Sequence, residues 1–246
     1  MKILVLISKA PDTTTKISFT DGDTKFNDQG VQFVVNPYDE WYALVRALEL
    51  KEANGGSVTI LTVGDATNDP VIRKALAIGA DGAVRIDAQP DDAYQVAYQI
   101  AEYAKDQNYD LILGGKETID YNGGQVPGMV ASLLNLPFVS NASKLDMSGN
   151  TATMERDIQG GVELVEVDTP FVLSAAKGMA EQRIPNMRGI MAARSKPLQV
   201  VPAAAVDGLT SVSSYELPPA KAEVRIVDAD NPEELIDLLH NEAKMI

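Results

Sequence analysis

DLILGGKETIDYNGGQVPGMVASLLNLP, residues 110–137, passes from a short apolar run through a polar, glycine-rich loop into an apolar helix. Leu111 to Leu113 has the length and continuity of a strand buried on both faces. Gly114, Gly115, Gly123 and Gly124 leave the backbone bare, so the chain can approach another group closely there. Between them Lys116, Glu117, Thr118, Ile119, Asp120, Tyr121 and Asn122 form a largely polar loop that offers charge and hydrogen bonds. From about Gln125, the residues Val126, Met129, Val130 and Leu133 mark a helix whose first N–H groups lack partners within it and point back at the loop. By itself the stretch fits two readings, a phosphate or nucleotide cradle and a plain glycine-rich turn.

Working outward, the same grammar recurs. Ile3 to Ile7 is a continuous apolar run ending in Ser8-Lys9-Ala10-Pro11-Asp12, a loop at the carboxyl end of a strand, where open α/β sheets bind ligands. Lys16 to Gly30 holds Asp21-Gly22-Asp23 and predicts a small β excursion closed by a turn. Val34-Val35-Asn36-Pro37-Tyr38-Asp39-Glu40 leads into a helix with Trp41, Leu44, Val45 and Leu48 on one face. Asn36 reads as its N-cap and Pro37 as its first residue. Val58 to Val63 is a second strand, breaking at Gly64-Asp65. Asp69-Pro70 opens a helix closed by Gly79, Ala83 to Ile86 is a third strand, and Asp91 to Lys105 is a further helix. Strand–helix alternation with short connections predicts an open, mostly parallel sheet with helices on both faces.

The rhythm changes after Pro137. Phe138 to Leu145 predicts another strand, Thr151–Ile158 and Val162–Val167 a β-hairpin, and Phe171 to Ala175 a buried strand. Met179 to Pro197 combines Arg183, Arg188, Arg194 and Lys196 with Met187, Ile190 and Met191, interrupted by Pro185 and Gly189. It predicts an exposed loop with a short helix from Arg188 to Arg194. From Val201 the chain loses its periodicity; a short strand at Glu223 to Val227 and a last helix opened by Asn231-Pro232 are expected. The organisation expected is residues 1-200 as an α/β domain and 201-246 as a C-terminal arm that packs elsewhere.

Composition narrows the function. A chain of 246 residues with a formal net charge of −14 is unsuited to nucleic acid or an anionic membrane surface, which select for basic protein. Without cysteine there are no disulfides or thiol nucleophiles, and a single histidine, His240, supports neither a triad nor a His-based metal site. Five apolar residues after Met1-Lys2 are too few for a signal or spanning segment, so a cytoplasmic protein without membrane insertion is expected. Neither G-x-G-x-x-G nor G-x-x-x-x-G-K-[ST] occurs where a dinucleotide or Walker site requires it. The polar loops contain no evident nucleophile–base pair. Asp39 and Asp120 are candidate acids, for which helix capping or ribose binding is the favoured role. The site expected is one that binds a nucleotide and does not turn it over, with no catalytic residue.

These stretches together resemble the β subunit of electron transfer flavoprotein. The resemblance rests on KILVLISKAPDT, VVNPYDEWYALVRALELKE, LTVGDA, RKALAIGADGAVRI, the opening stretch, MERDIQGGVELVEV and RIPNMRGIMAARSKP, in that order along nearly the whole chain. It implies an adenine nucleotide alpha hydrolase-like fold without hydrolase activity, and an obligate heterodimer with an α subunit holding most of the FAD. It also implies electron transfer from acyl-CoA dehydrogenases and related flavoprotein dehydrogenases to a quinone oxidoreductase. By position, AMP contacts carry over to Ile7, Asn36, Pro37, Tyr38, Asp39, Val63 and Gly115 to Val126. The dehydrogenase anchor carries over to Met187, flanked by Arg183 and Arg188. Here the family's usual lysine-rich tract is reduced to Ala192-Ala193-Arg194-Ser195-Lys196. The acidic run after Asp120 is replaced by Tyr121-Asn122-Gly123-Gly124. Two alternatives stand beside this reading. One is a bifurcating family member that binds a second FAD and uses NADH; the other is a stand-alone adenine-nucleotide sensor of the stress-protein type.

Overall fold

The computed structural model describes residues 1–221 and 223–246. In chain order the elements are β1 (Lys2–Leu6), β2 (Lys9–Pro11), β3 (Phe19–Thr20), β4 (Lys25–Phe26), β5 (Phe33–Val35) and α1 (Asp39–Asn54). There follow β6 (Ser57–Val63), α2 (Asp69–Ile78), β7 (Gly82–Asp87), α3 (Ala93–Ala104), β8 (Leu111–Gly115) and α4 (Val126–Leu134). The remainder is β9 (Phe138–Ser148), β10 (Thr151–Ile158), β11 (Gly161–Asp168), β12 (Phe171–Ala175), α5 (Met187–Ala193), β13 (Leu198–Pro202) and α6 (Pro232–Asp237).

The described residues form one nine-stranded sheet in the order β11-β10-β9-β12-β8-β1-β6-β7-β13. From β9 to β13 every pairing is parallel, and β9-β10-β11 is an antiparallel meander. The apolar runs are continuous because alternate residues serve two cores. Ile3, Val5, Leu111 and Leu113 face the core under α1 and α2. Leu4, Leu6 and Ile112 face the core under α3 and α4. The sequence thus predicts the layering correctly. On α1, Leu44 and Leu48 are buried as the periodicity requires, each worth roughly 1.5–3 kcal/mol of transfer free energy.

Strand order positions the site. From β1 the chain steps to β6 and β7 on one side, then crosses behind α3 to place β8 on the other. The loops leaving β1 and β8 therefore diverge, opening a crevice at the carboxyl edge of the two strands.

Two expectations need correction. Asn36 and Pro37 do not start α1. The helix begins at Asp39, with Tyr38 before it at φ 67°, because the Asn36 side chain is engaged elsewhere. Glu223 to Val227 is not a strand: its backbone has no ladder partner among the described residues, and Val224 and Ile226 are 80% and 89% exposed. An alternating segment without a neighbour to pair with has nothing to hold it as a strand. Beyond Val201 the main chain still makes contacts with the α/β elements. β13 runs to Pro202 along β7, and Gln99 exchanges two hydrogen bonds with Ala204 at 2.7 and 2.8 Å. Asp92 then accepts from the N–H groups of Leu209 and Thr210. Tyr215 stacks on Phe19 of the β3–β4 hairpin at 4.9 Å between ring centres. Past Tyr215 the arm carries exposed Leu217, Leu235, Ile236 and Met245; one of its residues, Ala222, lies outside the described residues. No helix among the described residues is long and apolar enough to cross a membrane.

Candidate functional site

The crevice is built from three segments. After β1 come Ile7 and Ser8; before α1 come Asn36, Pro37 and Tyr38; after β8 comes the loop from Lys116 to Gln125. Ile7 is fixed by its backbone, donating to Leu61 and accepting from the Thr62 hydroxyl at 2.8 Å. Val63 ends β6 at the same edge.

Asn36 is fully buried and joins all three segments. Its backbone N–H donates to the Ser8 carbonyl at 3.0 Å, and its amide nitrogen donates to Ser8 Oγ at 3.1 Å. Its side-chain oxygen accepts from the Ile119 N–H at 3.3 Å. Asp39 accepts from the Glu117 N–H at 3.3 Å, so the first residue of α1 also holds the loop. Burial raises its carboxyl pKa, and the nearby charge of Lys116 opposes the rise. Lys116 itself pairs with Glu117 at 2.9 Å.

The loop is closed from within. The Thr118 N–H donates to Gly123 O, the Asn122 N–H to Thr118 O, and the Gly123 N–H to Thr118 Oγ1, all at 3.0–3.1 Å. Asn122 adopts φ 53°, a left-handed conformation that asparagine tolerates. Tyr121 is 72% exposed. The first helical residues of α4 follow, with Pro127 occupying a position where a helix needs no N–H. No side chain caps the start of α4, and the first N–H groups of a helix have no partner within it.

Two of the four glycines have a reason the sequence alone does not reveal. A Cβ on Gly115 would lie 2.8 Å from Glu40 Cγ and 2.9 Å from Glu40 N, and one on Gly114 would lie 2.8 Å from Pro127 Cγ. They admit the N-termini of α1 and α4 to the strand. They are packing glycines that shape the site from behind.

Sequence reasoning missed Glu40 and Ser8. Glu40 is only 7% exposed and reads in the sequence as an ordinary acid in a first helical turn. In the fold its two carboxylate oxygens accept from Ser8 N and Ser8 Oγ, both at 2.6 Å. The Asn36 amide lies 3.5 Å away. Burial pushes its pKa up to about 7, aided by the negative charge of Asp120 and opposed by the Ser8 and Asn36 hydrogen bonds. No signal in the sequence marks it, since two successive acids in a first helical turn can both face water.

The basic loop lies against α1 and α2. Arg183 is not free: it pairs with Glu52 at 2.6 Å and its carbonyl accepts from the Trp41 indole at 3.3 Å. α5 starts one residue earlier than expected, capped by the Asn186 side-chain oxygen, which accepts from the Gly189 N–H at 2.8 Å. Met187 is 73% exposed and Met191 68%. Between α2 and α5 lies a cleft of about 600 Å³ lined by Pro70, Arg73, Lys74, Pro185, Ile190 and Arg194 among others.

An open parallel sheet with polar loops and a helix N-terminus gathered at its switch point defines an α/β protein of the ligand-binding type. The sequence model of the electron transfer flavoprotein domain matches residues 23–206. The electron transfer flavoprotein subunit beta of Bacillus subtilis is 37% identical to the chain, covering 100% of both. That of Syntrophomonas wolfei is 36% identical, over 95% of this chain and 92% of the relative. The mitochondrial subunit beta of Oryza sativa subsp. indica is 33% identical over the full length of both. The chain belongs to the electron transfer flavoprotein β-subunit family.

Proposed function

We propose that this chain is the β subunit of a cytoplasmic, heterodimeric electron transfer flavoprotein that carries electrons from acyl-CoA dehydrogenases and related flavoprotein dehydrogenases to the respiratory quinone pool through a quinone oxidoreductase. In this reading it binds AMP as a structural ligand, while the α subunit holds most of the FAD. The observation that carries it is the loop from Gly115 to Val126. It is tied to Asn36 and Asp39 at the sheet's switch point and leads into the N-terminus of α4, a place suited to a phosphate. Asp39 is bound to the loop's own backbone, which favours holding a nucleotide over hydrolysing it. Met187, with the exposed Met191 beside it, offers flexible apolar contacts to dehydrogenases, and Arg188 supplies charge at the same helix. The apolar, largely unpacked arm beyond Tyr215 is assigned to the α subunit.

The test is the cofactor inventory of the heterodimer purified with its α subunit. One FAD together with AMP supports the reading; two FAD per heterodimer replaces it with the bifurcating alternative.

A further inference from the structure

Glu40 is a buried titratable group that the proposed nucleotide-holding role does not use. Its carboxylate lies behind the loop, wedged between Ser8, Asn36 and the bare backbone of Gly115. The groups facing it are Ser8 after β1, Asn36 and Asp39 from its own side, and Gly115, Asp120 and Tyr121 from the loop. No lysine or arginine is among its partners within the described residues. The nearest loop cation, Lys116, is paired with Glu117. Asn36 touches both this carboxylate and the Ile119 N–H, so the charge is transmitted to the loop by contact.

An ionised carboxylate in so dry a place repels any anion seated on the loop's far side, because little solvent screens the two charges. We propose that binding of a phosphate-bearing ligand to the 115–126 loop is coupled to proton uptake at Glu40, which holds the loop in its anion-accepting form when neutral and weakens it when ionised. The inference rests on the nucleotide reading given above. With its pKa pushed up to about 7 by burial, Glu40 passes between these forms over the range in which cells regulate pH. Thermodynamic linkage fixes the direction: a bound anion raises the carboxyl pKa further, so affinity is higher at low pH and falls as pH rises. A rise of one unit on binding corresponds to about a tenfold change in affinity.

The experiment uses the heterodimer with its α subunit, freed of bound nucleotide and titrated calorimetrically with AMP from pH 6.5 to 8.5. Two buffers of different ionisation enthalpy report the protons taken up. The wild type should lose about sixfold in affinity across the range and take up about half a proton per AMP near pH 7.5. Glu40→Gln should bind tightly throughout, keeping only the slope from the phosphate's own ionisation near pH 6. Ser8→Ala removes the hydroxyl donor that favours the charged form and leaves the backbone N–H, so its affinity step should move to higher pH. Superimposable profiles for wild type and Glu40→Gln overturn the proposal. Should Glu40→Gln fail to assemble, an unshifted step in Ser8→Ala overturns it instead. If AMP and FAD both fail to bind the site at any pH, the nucleotide reading falls and this inference with it.

Discussion

Gly115→Ala tests whether the opening loop is shaped from behind by close packing. The added Cβ would meet Glu40 Cγ at 2.8 Å and Glu40 N at 2.9 Å. Ordinary contact is about 3.5–4.0 Å, so roughly 0.7 Å or more must be found. The Glu40 side chain cannot swing away without giving up two hydrogen bonds from Ser8, and its backbone nitrogen belongs to the first turn of α1. The helix N-terminus must therefore shift, at a cost of about 1–3 kcal/mol. For a chain of this size that lowers Tm by about 3–10 °C. Gly161→Ala is the matched control: nothing lies within 4 Å of its Cβ position and its φ is not in the left-handed region. It should be neutral or stabilising by up to about 1 kcal/mol. Differential scanning calorimetry on both variants, with AMP titration of the first, reads the contrast. A Gly115→Ala protein that melts with Gly161→Ala and binds AMP normally would refute the packing argument.

Met187→Asp should slow reduction of the heterodimer's flavin by an acyl-CoA dehydrogenase by about 30-fold or more, the loss of a ~2 kcal/mol anchor. Its flavin content should stay unchanged; equal rates in stopped flow would remove the anchor role. Deleting residues after Tyr215 should weaken assembly with the α subunit, visible as subunit separation on size exclusion, while the truncated chain keeps its melting transition. Glu40 also predicts a pH dependence of stability. Its pKa is raised from 4.5 to about 7, so the folded chain holds this proton more tightly than the unfolded one. The stability gained is complete below about pH 4.5 and is lost as pH rises through 7, an effect of order 3 kcal/mol. Urea titrations between pH 5 and 8 should show a slope that Glu40→Gln flattens.

Much of the architecture was legible because strands buried on both faces write themselves as apolar runs. Ile3–Ile7, Val58–Val63, Leu111–Leu113 and Phe171–Ala175 all became sheet strands, and the three helices between β5 and β8 fell within two residues of their predicted spans. Errors arose where a local rule was overridden from a distance. Asn36-Pro37 has the composition of a helix start, yet the Asn36 side chain is taken by Ser8 and Ile119, residues 28 and 83 positions away. Val224 and Ile226 alternate as a strand should, and no neighbour is there to pair with them.

The parallel sheet, the chain segments that carry polar groups to its edge, and the exposed basic loop with Met187 were legible from the residues alone. These follow from periodicity and composition, which act over a few residues. What surrounds residues 110–137 emerged from the fold. Strand order brought Ser8, Asn36 and Ile119 together, and burial turned Glu40 from a first-turn acid into a near-neutral proton site. It also showed that Gly114 and Gly115 make room for two helix ends. Long-range pairing and desolvation depend on what surrounds a residue in three dimensions, and no local pattern records that.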